Sequence, residues 1–306
     1  MTDRGIKNLS ASIYARLLNN SKKTNRPFNE VLQYYAIERF LYRLSESEYA
    51  DKFILKGALM FLSWGAVLTR PTRDIDMLGR TKNDIENLVN IIGKVCRQKV
   101  EADGMEYFAP SVYGEKITAN ADYAGIRIIF DAKLDNAKVK MQIDVGFGDE
   151  VFPEISKITY PVIIELPAPV LKGYSMESVI AEKFESMMKL GMLNSRMKDF
   201  FDIWMLSRQF QFDGFVLSQA IHKTFDKRGT IISEEVTAFS KEFVEEKIKQ
   251  WKAFLRKSRL SKEVPDNFEE IIRVLKKFLL PAVKAVIDKK AFRSKWDVSG
   301  KWVQSN

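Results

Sequence analysis

Residues 123–148 constrain the fold of this chain more than any other stretch. YAGIRIIFDAKL and KVKMQIDVGFG alternate apolar and polar side chains, and the turn-forming DNA lies between them. That pattern predicts two strands joined by a turn, and hence a sheet. In the second strand Val139, Met141, Ile143 and Val145 form one face, while Lys138, Lys140, Gln142 and Asp144 form the other.

The periodicity on either side of this pair is helical. In residues 1–50, NLSASIYARLLNN spaces Leu9, Ile13, Leu17 and Leu18 at helical intervals, and PFNEVLQYYAIERFLYRL repeats apolar residues at three and four after Pro27. Residues 51–172 are mixed. FILKGALMFLSW reads as a short strand or turn running into a buried helix, DIDML as a strand and KNDIENLVNIIGKVCRQ as an amphipathic helix. VIIELPAPVL, with two prolines, belongs at an edge or in a connection.

From Ser175 the pattern is helical nearly to the end. Ser175 caps SMESVIAEKFESMMKLG and Gly191 stops it, and RMKDFFDIWMLSRQF is a second helix. Val236, Phe239, Phe243, Ile248, Trp251 and Leu255 trace one apolar face. A last helix starts near Phe268, is interrupted at Pro281 and resumes to Phe292. The expectation is an α+β chain in three parts, 1–50, 51–172 and 173–306.

Composition excludes several classes. At 46% hydrophobic and 29% charged, the 306 residues have the make-up of an ordinary globular protein. No apolar run approaches the roughly 18–20 residues of a membrane span, and MTDRGIKNLS has no signal-peptide core. Cys96 is the only cysteine and His222 the only histidine, so intrachain disulfides, cysteine-rich zinc sites and multi-histidine centres are excluded. A reducing cytoplasm is expected. The net charge of +9 is segregated: residues 247–306 hold 16 Lys+Arg against 6 Asp+Glu, and the preceding 246 hold 33 against 34. Such a basic end can attract a polyanion, or can be a solvated helical surface.

The chemistry centres on RPTRDIDM. On a strand Asp74 and Asp76 project to the same face, about 7 Å apart at the backbone. They suit Mg²⁺, which takes oxygen ligands and keeps waters or substrate phosphates; they are equally readable as solvated acids neutralised by Arg70 and Arg73. Asp144 becomes a third carboxylate if its strand neighbours theirs. Three such acids around two divalent ions would be the two-metal arrangement for phosphoryl displacement. Gly57, in LKGAL at the start of a helix, offers backbone amides to phosphate, with Lys56 beside it. Lys183 falls inside the apolar stripe of Val179, Ile180, Phe184 and Met187, either snorkelling to water or held as a cation near phosphates. Asp199 and Asp202 lie one turn apart after Arg196 and Lys198, where local salt bridging is a sufficient explanation.

In order along the chain, ERFLYRLSESEYADKFILKGALM, TRPTRDIDM, the strand around Asp144, VIAEKFESMMKLG and SRMKDFFDIWML cover about residues 28–210. Together they resemble the AbiEii/AbiGii toxin family, the nucleotidyltransferase-like toxin halves of bacterial abortive-infection and toxin–antitoxin pairs. The resemblance implies a polymerase-β-like nucleotidyltransferase core, a small mixed sheet with helices, followed by a helical C-terminal region. It further implies an NTP substrate, two Mg²⁺ ions, an RNA acceptor in the form of the tRNA 3′ end, and a cognate antitoxin encoded nearby. On this sequence Asp74 and Asp76 match the metal pair, Gly57 the phosphate loop with Lys56 next to it, Lys183 the active-site lysine and Asp199 the following acid, a base or orienting group. Asp202 shares that motif. Asp144 is the third metal ligand by strand pattern, the Thr72 hydroxyl a nucleotide contact, and Arg70 and Arg73 contacts to phosphate or RNA. The family's Gly-Gly or Gly-Ser is Gly57-Ala58 here, which keeps a backbone cradle but not a hydroxyl. Two other readings are a nucleotidyltransferase acting on a protein or small molecule, and a toxin that binds nucleotide or RNA without catalysis.

Overall fold

The computed structural model describes residues 9–67, 70–117 and 125–304. Residues 1–8 and the first two positions of the expected strand, Tyr123 and Ala124, lie outside the described residues. The chain divides into two units, Met1–Trp64 with Pro71–Gly148 and Ser156–Gly173, and Gly65–Arg70 with Asp149–Ile155 and Tyr174–Asn306.

The first unit begins with α1 (Leu9–Thr24) and α2 (Phe28–Ser45), the latter starting directly after Pro27. There follow β1 (Phe53–Lys56), the short α3 (Leu59–Ser63), β2 (Asp74–Gly79) and α4 (Ile85–Cys96). Then come β3 (Met105–Tyr107), β4 (Tyr113–Ile117), β5 (Gly125–Leu134), β6 (Ala137–Phe147), β7 (Ser156–Thr159) and β8 (Val170–Gly173). The strands form one mixed sheet in the order β3-β5-β6-β2-β1-β8-β7, with β4 also on β5. The β5–β6 hairpin is antiparallel and closes at Leu134 opposite Ala137, where Asp135 takes φ +53° in the turn. Pairs β2–β6 and β1–β8 are parallel.

One face of this sheet, including Ile75, Met77, Ile128, Phe130, Met141 and Ile143, is buried. Phe40 of α2 packs at 5.1 Å from the Phe130 ring. Because α2 is enclosed nearly all round, its charged side chains are paired. Arg43 is bonded to both oxygens of Asp103. Glu38 lies 2.9 Å from Arg39 and accepts from the Ile163 amide, while Arg39 donates to the Pro167 carbonyl. Those bonds pin the proline-containing connection between β7 and β8. Burial pushes the Glu38 carboxyl up to about 7, against the pull of Arg39.

The second unit is helical with a small sheet. It contains α5 (Met176–Leu190), α6 (Met197–Gln209), β9 (Phe212–Asp213), α7 (Gly214–Arg228), α8 (Lys241–Ser258), α9 (Phe268–Ile287), β10 (Ser294–Asp297) and β11 (Lys301–Gln304). The Ser178 amide donates to the Ser175 hydroxyl at 3.1 Å, and Gly191 ends α5 at φ +47°. Val236 and Phe239 belong to the connection before α8 rather than to the helix, although both are buried with Phe243, Trp251 and Leu255.

Two further expectations are corrected here. First, α9 runs unbroken through Pro281 to Ile287, and Phe292 lies beyond it. Proline removes the donor that would bond the carbonyl four residues back; that carbonyl, of Lys277, instead accepts from the Trp302 indole N–H at 3.1 Å. Second, the chain ends not in helix but in the β10–β11 hairpin, with β9 paired to β10. Trp296 anchors it, buried at 1% exposure and donating to the Ser207 carbonyl at 2.6 Å. No described helix is long and apolar enough to cross a membrane.

Candidate active site

In the first unit the sheet register brings the acids together. Asp74 is opposite Gln142 and Asp76 opposite Asp144 across the parallel β2–β6 pair, and Lys56 is opposite Asp76 across β1–β2. Alternation buries Ile75, Met77 and Ile143 and leaves Asp74, Asp76 and Asp144 half-buried on the other face. The segment leading into β2 is held from α2. The Thr72 amide donates to the Tyr34 hydroxyl at 3.1 Å, and the Gln33 side-chain amide reaches the carbonyls of Arg73 and Lys140. Arg73 is exposed.

Gly57 turns the chain from β1 into α3 at φ +71°. A side chain at this position would meet Asp76 directly, since its Cβ would lie 2.8 Å from Asp76 Cγ and 2.9 Å from Asp76 Cβ. The loop backbone therefore packs against the Asp76 side chain itself. Only five residues of helix follow, so any phosphate held here is held by the amides of the turn and not by a long helix dipole.

Asp144 is differently placed. Arg127 of β5, its partner across the hairpin, binds both carboxylate oxygens at 2.9 Å, and Gln142 Nε2 donates to Oδ1 at 3.1 Å. The Arg127 guanidinium is raised above its ordinary range by the bond to Asp144, with Asp74 adding to the effect. Arg127 was not among the residues picked from the sequence, although a turn at Asp135–Asn136 already pairs 127 with 144 by counting back from 134 and 137.

Asp74 and Asp76, two hard oxygen donors beside a cradle that any Cβ at 57 would fill, fit a divalent cation completed by water or phosphate oxygens. Asp144 accepts from Arg127 through both carboxylate oxygens. Among the described residues no group of three or more His, Cys, Asp or Glu is arranged to hold a metal ion.

In the second unit Lys183 does not snorkel to water. Its ammonium, 12% exposed at the side chain, lies 2.7 Å from Asp199 and 2.9 Å from Asp202, both fully buried. Arg70 is bidentate to Asp202 at 2.9 Å through Nε and Nη2, and Arg196 stands 2.8 Å from the second oxygen of Asp199. Burial by itself would push the Lys183 pKa down; Asp199 and then Asp202 more than offset it, so Lys183 titrates above its usual range. For Asp199 burial pulls upward, but Lys183 and Arg196 hold the carboxyl below the usual carboxylate range. A carboxylate held low is a poor proton acceptor near neutrality, so the geometry favours Asp199 as the group that orients Lys183. Arg70, read from sequence as a phosphate or RNA contact, is occupied by Asp202 and only 10% exposed.

Comparison with known proteins adds the following. The family of AbiEii nucleotidyl transferase toxins, a type IV toxin–antitoxin system, matches residues 39–274, a range that takes in both sets of residues. No curated protein matches the chain. Two solved structures from Helicobacter pylori are similar. JHP933 is 12% identical with a TM-score of 0.46, covering 82% of this chain and 90% of its own. A candidate nucleotidyltransferase is 14% identical with a TM-score of 0.46, covering 83% and 95%.

Proposed function

Because the chain belongs to the AbiEii nucleotidyl transferase toxin family, we propose that it is a Mg²⁺-dependent nucleotidyltransferase acting on RNA. It moves a nucleotide from an NTP to the 3′ end of tRNA, which stops translation and growth and is opposed by a cognate antitoxin encoded nearby. The observation that carries this reading is the placement of Asp74 and Asp76 on one face of β2, with Asp76 packed against the Gly57 turn. In this reading residues 51–172 are a polymerase-β-like core, 1–50 a helical segment packed on it, and 173–306 a helical domain. The basic residues of the last 60 positions form the RNA-docking surface.

Transfer joins the acceptor hydroxyl oxygen to the α-phosphorus, releases the hydroxyl proton to solvent and breaks the bond from that phosphorus to the leaving pyrophosphate. Asp74 and Asp76 hold the cation, which when bound polarises the phosphoryl oxygens and neutralises charge that builds on them. The Gly57 turn lets backbone amides approach phosphate without a side chain in the way, and Lys56 adds positive charge. Thr72 and Arg73 contact the nucleotide from the extended segment that Tyr34 and Gln33 fix. Lys183, held by Asp199 and Asp202, is the active-site lysine that membership of the family implies.

The test is to incubate the protein with Mg²⁺, each labelled NTP in turn and total tRNA. Label should appear at the tRNA 3′ end, and Asp74→Ala should abolish both transfer and growth inhibition. Label that survives RNase and migrates with protein would move the acceptor to a protein. No transfer with any NTP, together with undiminished toxicity of Asp74→Ala, would replace catalysis by sequestration.

A further inference from the structure

The polar face of the sheet carries a row of charge across three neighbouring strands. Arg127 on β5 is opposite Asp144 on β6, and Asp144 is opposite Asp76 on β2. At one strand spacing per step, the Arg127 backbone lies about 10 Å from that of Asp76. Within this row the carboxylate that would complete a three-acid, two-ion set is already satisfied. Both oxygens of Asp144 accept from Arg127 and one also accepts from Gln142. A metal ion bound there would have to displace the guanidinium or share a carboxylate with it, cation against cation.

The guanidinium, by contrast, has capacity left. It carries five N–H donors, of which Nε–H and one on Nη2 go to Asp144, and its side chain is 34% exposed. Anchoring on one edge by a bidentate carboxylate fixes its plane and leaves the remaining donors as a preorganised fork, the geometry that suits phosphate oxygens. A guanidinium stays protonated under all ordinary conditions.

We propose that Arg127, anchored by Asp144, is the second cationic centre of this site: it binds a phosphate oxygen of the nucleotide, and the site takes one divalent cation, at Asp74 and Asp76. Asp144 is then a positioning residue and not a ligand. The assignment rests on the metal and nucleotide reading above and specifies how that site is charged.

The experiment counts Mn²⁺ bound to the full chain by electron paramagnetic resonance while each of four α,β-methylene nucleoside triphosphates is titrated in turn. Wild type should bind one Mn²⁺ per chain. Asp144→Asn should leave that count and the Mn²⁺ Kd unchanged within about twofold while weakening the analogue. Arg127→Gln should weaken the analogue by about tenfold or more, as expected for loss of charge-assisted bonds, with Mn²⁺ affinity in its absence preserved. Arg127→Lys, which keeps the charge but not the fork, should fall between, and thermal melts confirm which variants are folded. Two Mn²⁺ per wild-type chain with one lost in Asp144→Asn would overturn the proposal, as would unchanged analogue affinity in folded Arg127→Gln. Mn²⁺ binding indifferent to Asp74→Ala would remove the metal site altogether, and this assignment with it.

Discussion

Asp74 and Asp76 in the first unit and Asp199 and Asp202 in the second are the same chemical group in opposite surroundings. The first two stand half-buried on a strand face, with Asp76 next to a turn whose backbone leaves room for it. The second two are fully buried and already furnished with cations by the protein: Lys183 between them, Arg70 on Asp202, Arg196 beside Asp199. A half-buried acid keeps enough solvation to exist as an anion and can exchange water for a metal ion. A fully buried one must be paired where it stands, because an isolated buried charge is far more costly than the pair. Motif acids that look alike in sequence thus divide into a half-buried pair on a strand face and a fully buried pair that holds the protein's own cations.

That division is broken most severely if the wrong pair proves essential for the wrong reason. Asp76→Ala should cut nucleotidyl transfer by about 10³-fold or more, since a lost metal ligand forfeits several kcal/mol of transition-state stabilisation. Its stability should change by no more than about 0.5 kcal/mol. Asp202→Ala should do the reverse at the level of folding, leaving Lys183 and Arg70 partly uncompensated and lowering stability by about 3–5 kcal/mol in urea titrations. A stable, inactive Asp202→Ala would show that Asp202 acts on substrate and that the contrast is wrong.

How much of this could be read beforehand depended on whether the determinant was local. Alternation exposed the hairpin and put Asp74 and Asp76 on one face, and Ser175 announced α5, because in each case the signal and the structure lie within a few residues. The Arg127–Asp144 bond was also local in this sense, following from hairpin register, and was missed because arginine in IRIIF reads as a routine polar-face residue. Arg70 and Asp202 are 132 positions apart, and nothing near either residue names the other. Pro281 misled for a similar reason: a proline breaks a helix when its orphaned carbonyl stays unsatisfied, and here the donor is Trp302, some two dozen residues later. The closing hairpin was hidden by its brevity, four residues per strand, and owes its position to Trp296 packing rather than to propensity.

Glu38 extends the comparison to a third environment. Like Asp199 it is fully buried, but Arg39 is its one close cation, and its carboxyl stands near 7 where Asp199 is held low. The two acids should therefore give opposite pH slopes. The folded state binds Glu38's proton more tightly than the unfolded chain, so stability falls as pH rises from about 4.3 to about 7 and is level above. Asp199 contributes stability that is fully present above the unfolded value of about 3.9 and is lost as pH falls through its folded pKa. In Glu38→Gln the decline between pH 4.3 and 7 should disappear, a change of up to about 4 kcal/mol in denaturant midpoints converted to free energy. Melting curves of wild type and variant that stay parallel across that window would mean Arg39 compensates Glu38 fully, and that the buried acids of the two units are alike after all.

The smallest expected effect separates backbone strain from site geometry by using one glycine from each unit. Gly57 and Gly191 both have positive φ, +71° and +47°, so alanine at either should cost about 1–3 kcal/mol of conformational strain. They differ in what a Cβ would meet. At Gly191 the nearest atoms belong to Thr237, at 3.8 Å, an ordinary contact; at Gly57 the methyl would run into the Asp76 side chain. Gly191→Ala should then lose stability alone. Gly57→Ala should lose a similar amount and in addition weaken Mn²⁺ binding by about tenfold, because Asp76 must rotate away from the position that the turn reserves for it. Equal Mn²⁺ affinity in the two variants would show that Asp76 relaxes without consequence, and that the packing of Gly57 against it serves the fold and not the cation.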